Sequence, residues 1–142
     1  MLPKRKTKQK GIKELKADVW KVFSRYIRVR DCLRTTGTPG HGKCISCGEQ
    51  KPINQSDAGH FVNRWYGSTF FDERNVHLQC KRCNTMNEQL RYRRAIIKLY
   101  GEGIDIELED KATEEKHFSV EELQGLLKYY REKLKEKLTE VQ

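Results

Sequence analysis

The chain has 142 residues, 36% of them hydrophobic and 35% charged, with a net charge of +9 and a pI of about 9.4. That length fits one small domain with a modest core, for which a metal or disulfide staple is a common support. The charge favours a polyanionic partner, nucleic acid ahead of an anionic membrane. No segment approaches the roughly 20 apolar residues of a spanning helix, and the charged start MLPKRKTKQKG is not a secretory leader. A soluble intracellular protein is expected, and in a reducing compartment paired cysteines read as metal ligands sooner than as disulfides.

Residues 1–11, Lys-rich and almost without apolar groups, read as a disordered basic arm. Residues 12–142 read as a single domain. From Ile12 to about Leu33, Leu15, Val19, Val22, Phe23, Tyr26 and Ile27 recur at three- and four-residue steps, which predicts a helix with one buried stripe. Lys16, Lys21, Arg25 and Arg28 fall largely off that stripe, and TTGTPGHGK breaks it. Basic residues crowd positions 1–34 and suggest a surface facing DNA. Acidic residues crowd positions 102–122 and read as a solvated face turned away from it.

Residues 41–100 form the central segment. CISCGEQKP, AGHFV and NVHLQC predict a knuckle and two strands separated by a loop. A helix is expected from Lys81 to about Tyr100, with Leu90, Ile96, Ile97, Leu99 and Tyr100 as apolar candidates. Residues 101–142 comprise an acidic connection, in which GEGIDIELED alternates like a short edge strand or loop, and a last helix. Ser119 before Glu122 is a capping signature for that helix, and Leu123, Leu126, Leu127, Tyr130, Leu134 and Leu138 would face inward.

Cys44-Ile-Ser-Cys47 and Cys80-Lys-Arg-Cys83 are two C-x-x-C pairs with 32 residues between them. Two residues between thiolates let both sulfurs of a tight turn reach one ion, and four thiolates close a tetrahedral shell. Such a zinc has no open position and holds the fold. Gly48 follows the first pair where a knuckle needs positive φ. Cys32 has no partner and reads as a small buried hydrophobe.

The gap between the pairs holds His60, Asn75 and His77, and Asn84 follows the last cysteine. A strand, a loop, a strand and a helix laced by two cysteine pairs form a ββα unit around one cleft. A neutral imidazole near its reference pKa of about 6.5 can take a proton from water. Mg²⁺ or Mn²⁺ on oxygen ligands could neutralise a scissile phosphate. Asp57 offers a carboxylate and Asn84 a carbonyl oxygen, while Asn75 could hold the backbone around the histidine. Arg64, Arg74, Lys81, Arg82, Arg91, Arg93 and Arg94 are candidates for phosphate contacts, with Trp65 and Tyr66 interleaved beside Arg64. The plain alternatives are a core histidine at 60, a turn residue at 57, a helix cap at 84 and aromatics packed under a loop. His41 and His117 join no constellation and are expected in solvent.

DAGHF, ERNVHLQCKRCN and WKVFSRYIRVRDCLRTTGTPGHGKCISCG together resemble the NinG/Rap recombination proteins of lambdoid phages. The resemblance implies a phage-encoded, structure-specific DNA endonuclease. It would act on branched recombination intermediates such as Holliday junctions and D-loops in the cytoplasm of the bacterial host. The pattern is also similar to the wider HNH, or ββα-metal, nucleases and to junction resolvases of the endonuclease VII type. It implies an α+β fold: a zinc-stabilised ββα-metal (HNH-like) core over residues 41–100 with flanking N- and C-terminal helices. Carried over by position, His60 is the general base, Asn75 orients its loop and Asn84 binds the catalytic cation.

One position departs from the HNH pattern, which commonly has Asp just before the base histidine; here it is Gly59. Asp57 lies three residues back and in a regular strand would face away from His60, so His77 is a substitute ligand to consider. The branched-DNA partner would be cut by two active sites, which implies a homodimer. The rival readings are a non-catalytic zinc-stapled DNA-binding module, and an adaptor that uses the knuckle as a platform.

Overall fold

The computed structural model describes residue 2 and residues 10–140, so most of the expected basic arm lies outside the described residues. The chain folds as a mixed α+β protein. Helix α1 (Ile12–Thr36) leads into a small hairpin, β1 (His41–Lys43) and β2 (Gln50–Pro52). A second antiparallel pair follows, β3 (Ser56–His60) and β4 (Val76–Cys80), with the short helix α2 (Gly67–Phe70) between its strands. Helices α3 (Lys81–Thr85), α4 (Leu90–Tyr100), α5 (Ile104–Ala112) and α6 (Val120–Thr139) complete the chain.

The apolar stripe of α1 does what its period demands. Leu15, Val19, Phe23, Tyr26 and Ile27 are buried, and α6 is the helix's most extensive partner. Phe23, Tyr26 and Ile27 meet Ala58, Val76 and Tyr130 in one cluster, while Leu15 and Val19 meet Leu123 in another. The Ser119 side chain accepts the Glu122 amide at 3.1 Å, so the cap at the start of α6 is formed as expected.

The outer edge of β4 is satisfied without another strand. The Leu78 amide donates to the Asp31 carboxylate at 2.8 Å, and the Leu78 carbonyl accepts from the Ile45 amide at 2.9 Å. Arg30 donates to the Val76 carbonyl at 2.9 Å and to the Glu73 carbonyl at 2.9 Å. Asp31, fully buried, also accepts from Arg30 at 2.9 Å and sits 3.3 Å from Arg34. Burial pushes its carboxyl up, but the charge and hydrogen bond of Arg30 outweigh this and hold it below the usual range.

Two expected elements differ. The helix expected over Lys81–Tyr100 is broken at Asn87, which has φ 52°, so α3 and α4 are separate helices. Leu90 is exposed, and the buried anchors of α4 are Tyr92 and Ile96. The stretch read as an edge strand or loop is α5: Ile104, Leu108 and Ala112 are buried four residues apart while Ile106 is exposed. Alternation and helical periodicity share the i, i+4 positions, and the residue between them decides. The acidic stretch is also more than a solvated face, because Glu107 pairs with Arg74 and both Asp105 and Glu109 pair with Arg93.

Truncating Asp31 to Ala would leave the Leu78 amide buried and unpaired and strip Arg30 of its buried counter-charge, at a cost of about 3–5 kcal/mol. Urea denaturation should show that loss, whereas Lys51→Ala, at an exposed pair with Glu49, should change stability by about 1 kcal/mol or less.

Candidate functional site

The four sulfurs of Cys44, Cys47, Cys80 and Cys83 lie within 4.8 Å of one another. Cys47 Sγ and Cys80 Sγ are 3.8 Å apart, which matches the edge of about 3.8 Å of a tetrahedron with metal–sulfur bonds of ~2.3 Å. Backbone amides approach the first sulfur of each pair: Cys47 N to Cys44 Sγ and Cys83 N to Cys80 Sγ, both at 3.5 Å. Gly48 has φ 76° and donates to the Cys44 carbonyl at 2.9 Å, closing the first knuckle. The arrangement fits one structural zinc ion. Cys32 is buried away from it on α1.

Beside this site an open cleft of about 700 Å³ runs along β3. His60 reaches it from the face toward α1 and Asp57 from the face toward α3, so both strand faces contribute to one cleft. Asn84, Lys81 and Arg64 line it as well. Asp57 and His60 leave β3 on opposite faces, as a regular strand requires, and both nevertheless line the one cleft.

His60 is held on three sides. Its Nε2–H donates to the Phe70 carbonyl at 3.0 Å, since a carbonyl can only accept. Its ring stacks on Trp20 with centroids 5.0 Å apart and packs against Phe70 at 5.0 Å. Nδ1 has no partner among the described residues and is not sealed from solvent, so its lone pair is free. Burial, then the charges of Arg64 and Lys16, push the imidazole down to about 4 against the pull of the Phe70 carbonyl. It is neutral at neutral pH but a weaker base than the reference value suggests.

Asn75 is fully buried and builds the loop that holds His60. Its Oδ1 accepts the Val62 amide at 2.7 Å, and its Nδ2 donates to the carbonyls of Val62 and Thr69 at 3.1 Å each. The Thr69 contact fixes the turn whose next residue supplies the carbonyl bound by His60.

Asp57 receives Lys81 Nζ at 2.9 Å and Asn84 Nδ2 at 3.0 Å. Burial raises its pKa, but these hydrogen bonds and the charges of Lys81 and Arg28 outweigh it and keep the carboxylate ionised below its usual range. The oxygens of Asp57 and Asn84 could hold a hard divalent cation once Lys81, largely exposed, swings away and the amide turns over.

Gly59 explains the departure before His60. A Cβ there would lie 2.0 Å from Gln79 Oε1, and Gln79 is itself bound to Ser46 at 3.0 Å. The space a side chain would need is already filled.

His77 is corrected as a candidate ligand. It shares the sheet face of Asp57 but is fully buried beneath α4 and does not line the cleft. Tyr92 donates to the Gly59 carbonyl at 2.6 Å, so His77 Nδ1–H donates to the Tyr92 hydroxyl at 3.1 Å and Nε2 accepts from Tyr100 at 2.7 Å. Both nitrogens are used, and burial pushes the ring down to about 3.

Among the expected phosphate contacts, Arg64 lies in the cleft. Arg82 sits beside Glu49 and Cys80 on the knuckle surface. Arg91 pairs with Glu88, Arg94 is exposed on α4, and Arg74 and Arg93 are engaged by α5. His41 is exposed, and His117 is exposed beside Glu115.

Among the cleft residues that the sequence does not single out as site residues are Trp20, Ser24 and Arg28 of α1. With Lys16 they stand four residues apart, a second stripe beside the apolar one, and that spacing is the signal that could have found them.

A thiol-stapled α+β scaffold that carries a histidine cleft beside its metal site defines the class of protein. The chain belongs to the NinG family: the family described as Bacteriophage Lambda NinG protein matches residues 1–140. It is similar to Protein ninG of Escherichia phage 933W and of Enterobacteria phage VT2-Sa, each 34% identical over 96 residues that cover 66% of this chain. The chain spans about half, 47%, of the length of these curated relatives. Comparison with solved structures returns no significant match. No helix among the described residues is long and apolar enough to cross a membrane.

Two measurements check the site. Metal analysis should find one zinc per chain, and Cys80→Ser should release it with loss of the cooperative thermal transition. Acidification should also destabilise the fold. His60 and His77 are held neutral to about 4 and about 3, against an ordinary 6.5 once unfolded. Their contribution is therefore complete above about pH 6.5 and is lost as pH falls toward those values. Between pH 6 and 5 the stability of His77→Gln should fall less steeply than wild type, by up to about 1.4 kcal/mol per pH unit.

Proposed function

We propose that the chain is a metal-dependent DNA endonuclease that hydrolyses phosphodiester bonds in branched recombination intermediates such as Holliday junctions and D-loops. The observation that carries this reading is the fixed tautomer of His60. Its Nε2–H is committed to the Phe70 carbonyl, which leaves Nδ1 as the ring's free lone pair, and the histidine lines one cleft with Asp57 and Asn84.

His60 takes the proton of a water through Nδ1 as the water attacks phosphorus. Asn75 keeps the imidazole aimed by holding the loop that carries its carbonyl partner. Asp57 and Asn84 would hold Mg²⁺ or Mn²⁺, which would supply positive charge to the scissile phosphate and the departing oxygen. Arg64, Lys81 and Arg82, with Arg91 and Arg94 farther out, meet the phosphates. Phosphates arriving at Arg64 and Lys16 cancel charges that hold the imidazole down, so substrate binding raises its basicity. Strands, knuckle and helix then act as a ββα-metal core of the HNH kind, and paired cuts in a four-way junction call for a homodimer.

The Lys81–Asp57 ion pair favours one second reading, a non-catalytic DNA-binding module in which lysine stands where a cation would. A labelled four-way junction with Mg²⁺ or Mn²⁺ separates the two. Wild type should nick it, and His60→Ala should be slower by about 10²–10⁴-fold with binding retained. Binding with no nicking by wild type would establish the module instead, and cleavage by the variant at the wild-type rate would remove His60 as the base.

A further inference from the structure

A second groove of about 450 Å³ lies between the first turns of α1 and the loop after β3. It shares Trp20 and Arg64 with the His60 cleft, so the two adjoin. Its rim carries Trp65, 88% exposed. A single exposed aromatic is ordinary, but this one is held in place. The Asn63 side chain accepts the Trp65 amide at 2.9 Å, and the Asn63 carbonyl accepts the Tyr66 amide at 3.1 Å. The turn fixes the backbone and leaves the indole in solvent.

Three cations surround it: Lys13, Lys16 and Arg64. None has a carboxylate within ion-pair distance among the described residues. Lys16 Nζ sits 4.2 Å from the Phe70 ring centroid, and the Arg64 guanidinium lies 5.9 Å from the rings of both Trp20 and Phe70. Burial and the nearby Arg64 charge lower the pKa of Lys16. Like charges are thus crowded around an aromatic platform with no anion of the protein's own to offset them. A ligand with phosphates at several-ångström intervals and flat rings between them complements such a groove. Paired DNA offers the phosphates but keeps its rings stacked inside.

We propose that this groove receives unpaired nucleotides, with Trp65 stacking on an exposed base while Lys13, Lys16 and Arg64 hold the flanking phosphates. The inference deepens the endonuclease reading by naming the part of a branched substrate that is recognised, and Trp65 becomes a residue that selects branched over continuous duplex. Binding requires no cleavage, so the two readings can fail separately.

The test uses the zinc-loaded 142-residue chain without added Mg²⁺ or Mn²⁺. Fluorescence anisotropy would follow a labelled oligothymidylate and a blunt duplex of equal length. Trp65→Ala should weaken oligothymidylate binding by about fivefold or more, leave duplex binding within about twofold, and melt like wild type. Trp65→Phe should restore most of the loss, because a ring still stacks. Equal binding of oligothymidylate by wild type and Trp65→Ala overturns the proposal, as does an equal loss on both probes. If wild type never nicks a junction yet Trp65→Ala loses the single strand selectively, this inference stands and the endonuclease reading falls. If wild type nicks the junction and Trp65→Ala binds oligothymidylate unchanged, the endonuclease reading stands and the groove proposal falls.

Discussion

The buried Asp31 carboxylate, ringed by Arg30, Arg34 and the Leu78 amide, ties the longest helix to the edge of a two-stranded sheet. A sheet of two strands is marginal by itself, and an unpaired edge invites association. Here the third partner is assembled from α1 and the metal knuckle. Arg30 takes the Val76 carbonyl, and Ile45 takes the far side of Leu78. The inward face of α1 thus fixes β4, and β4 in turn sets the register of β3 and the position of His60.

How much of this is legible in the sequence depends on whether the signal is local. The first helix, the two knuckles, both site strands and the Ser119 cap follow from spacing, since each is a short-range pattern. The break at Asn87 carries only a weak local signal: Asn enters the left-handed region more readily than other non-glycine residues, yet it also occurs inside helices. Helix α5 is masked by a period-two pattern whose middle residue, Ile106, faces water. At the site, His60, Asn75, Asp57 and Asn84 come together along β3, β4 and α3. His77 is a histidine on the right strand, but α4 packs over it and two tyrosine hydroxyls of that helix absorb it. Gln79, which leaves no room for a side chain at 59, becomes visible only once the strands are in register.

The two faces of α1 divide labour in a way its composition alone conceals. Leu15, Val19 and Phe23 build the core, while Lys16, Trp20, Ser24 and Arg28 wall the clefts. The indole that stacks on His60 is therefore anchored by the same helix whose carboxylate pins β4. A single rigid rod carries both the wall of the site and the brace of its floor.

Helix α3 is only five residues long, yet Lys81, Cys83 and Asn84 all depend on it. Each added residue turns a helix by about 100°. An insertion between the thiolate at 83 and the amide at 84 would swing that amide out of the cleft even with the sulfur cage intact. Length variation among phage relatives should accordingly be purged from this one turn.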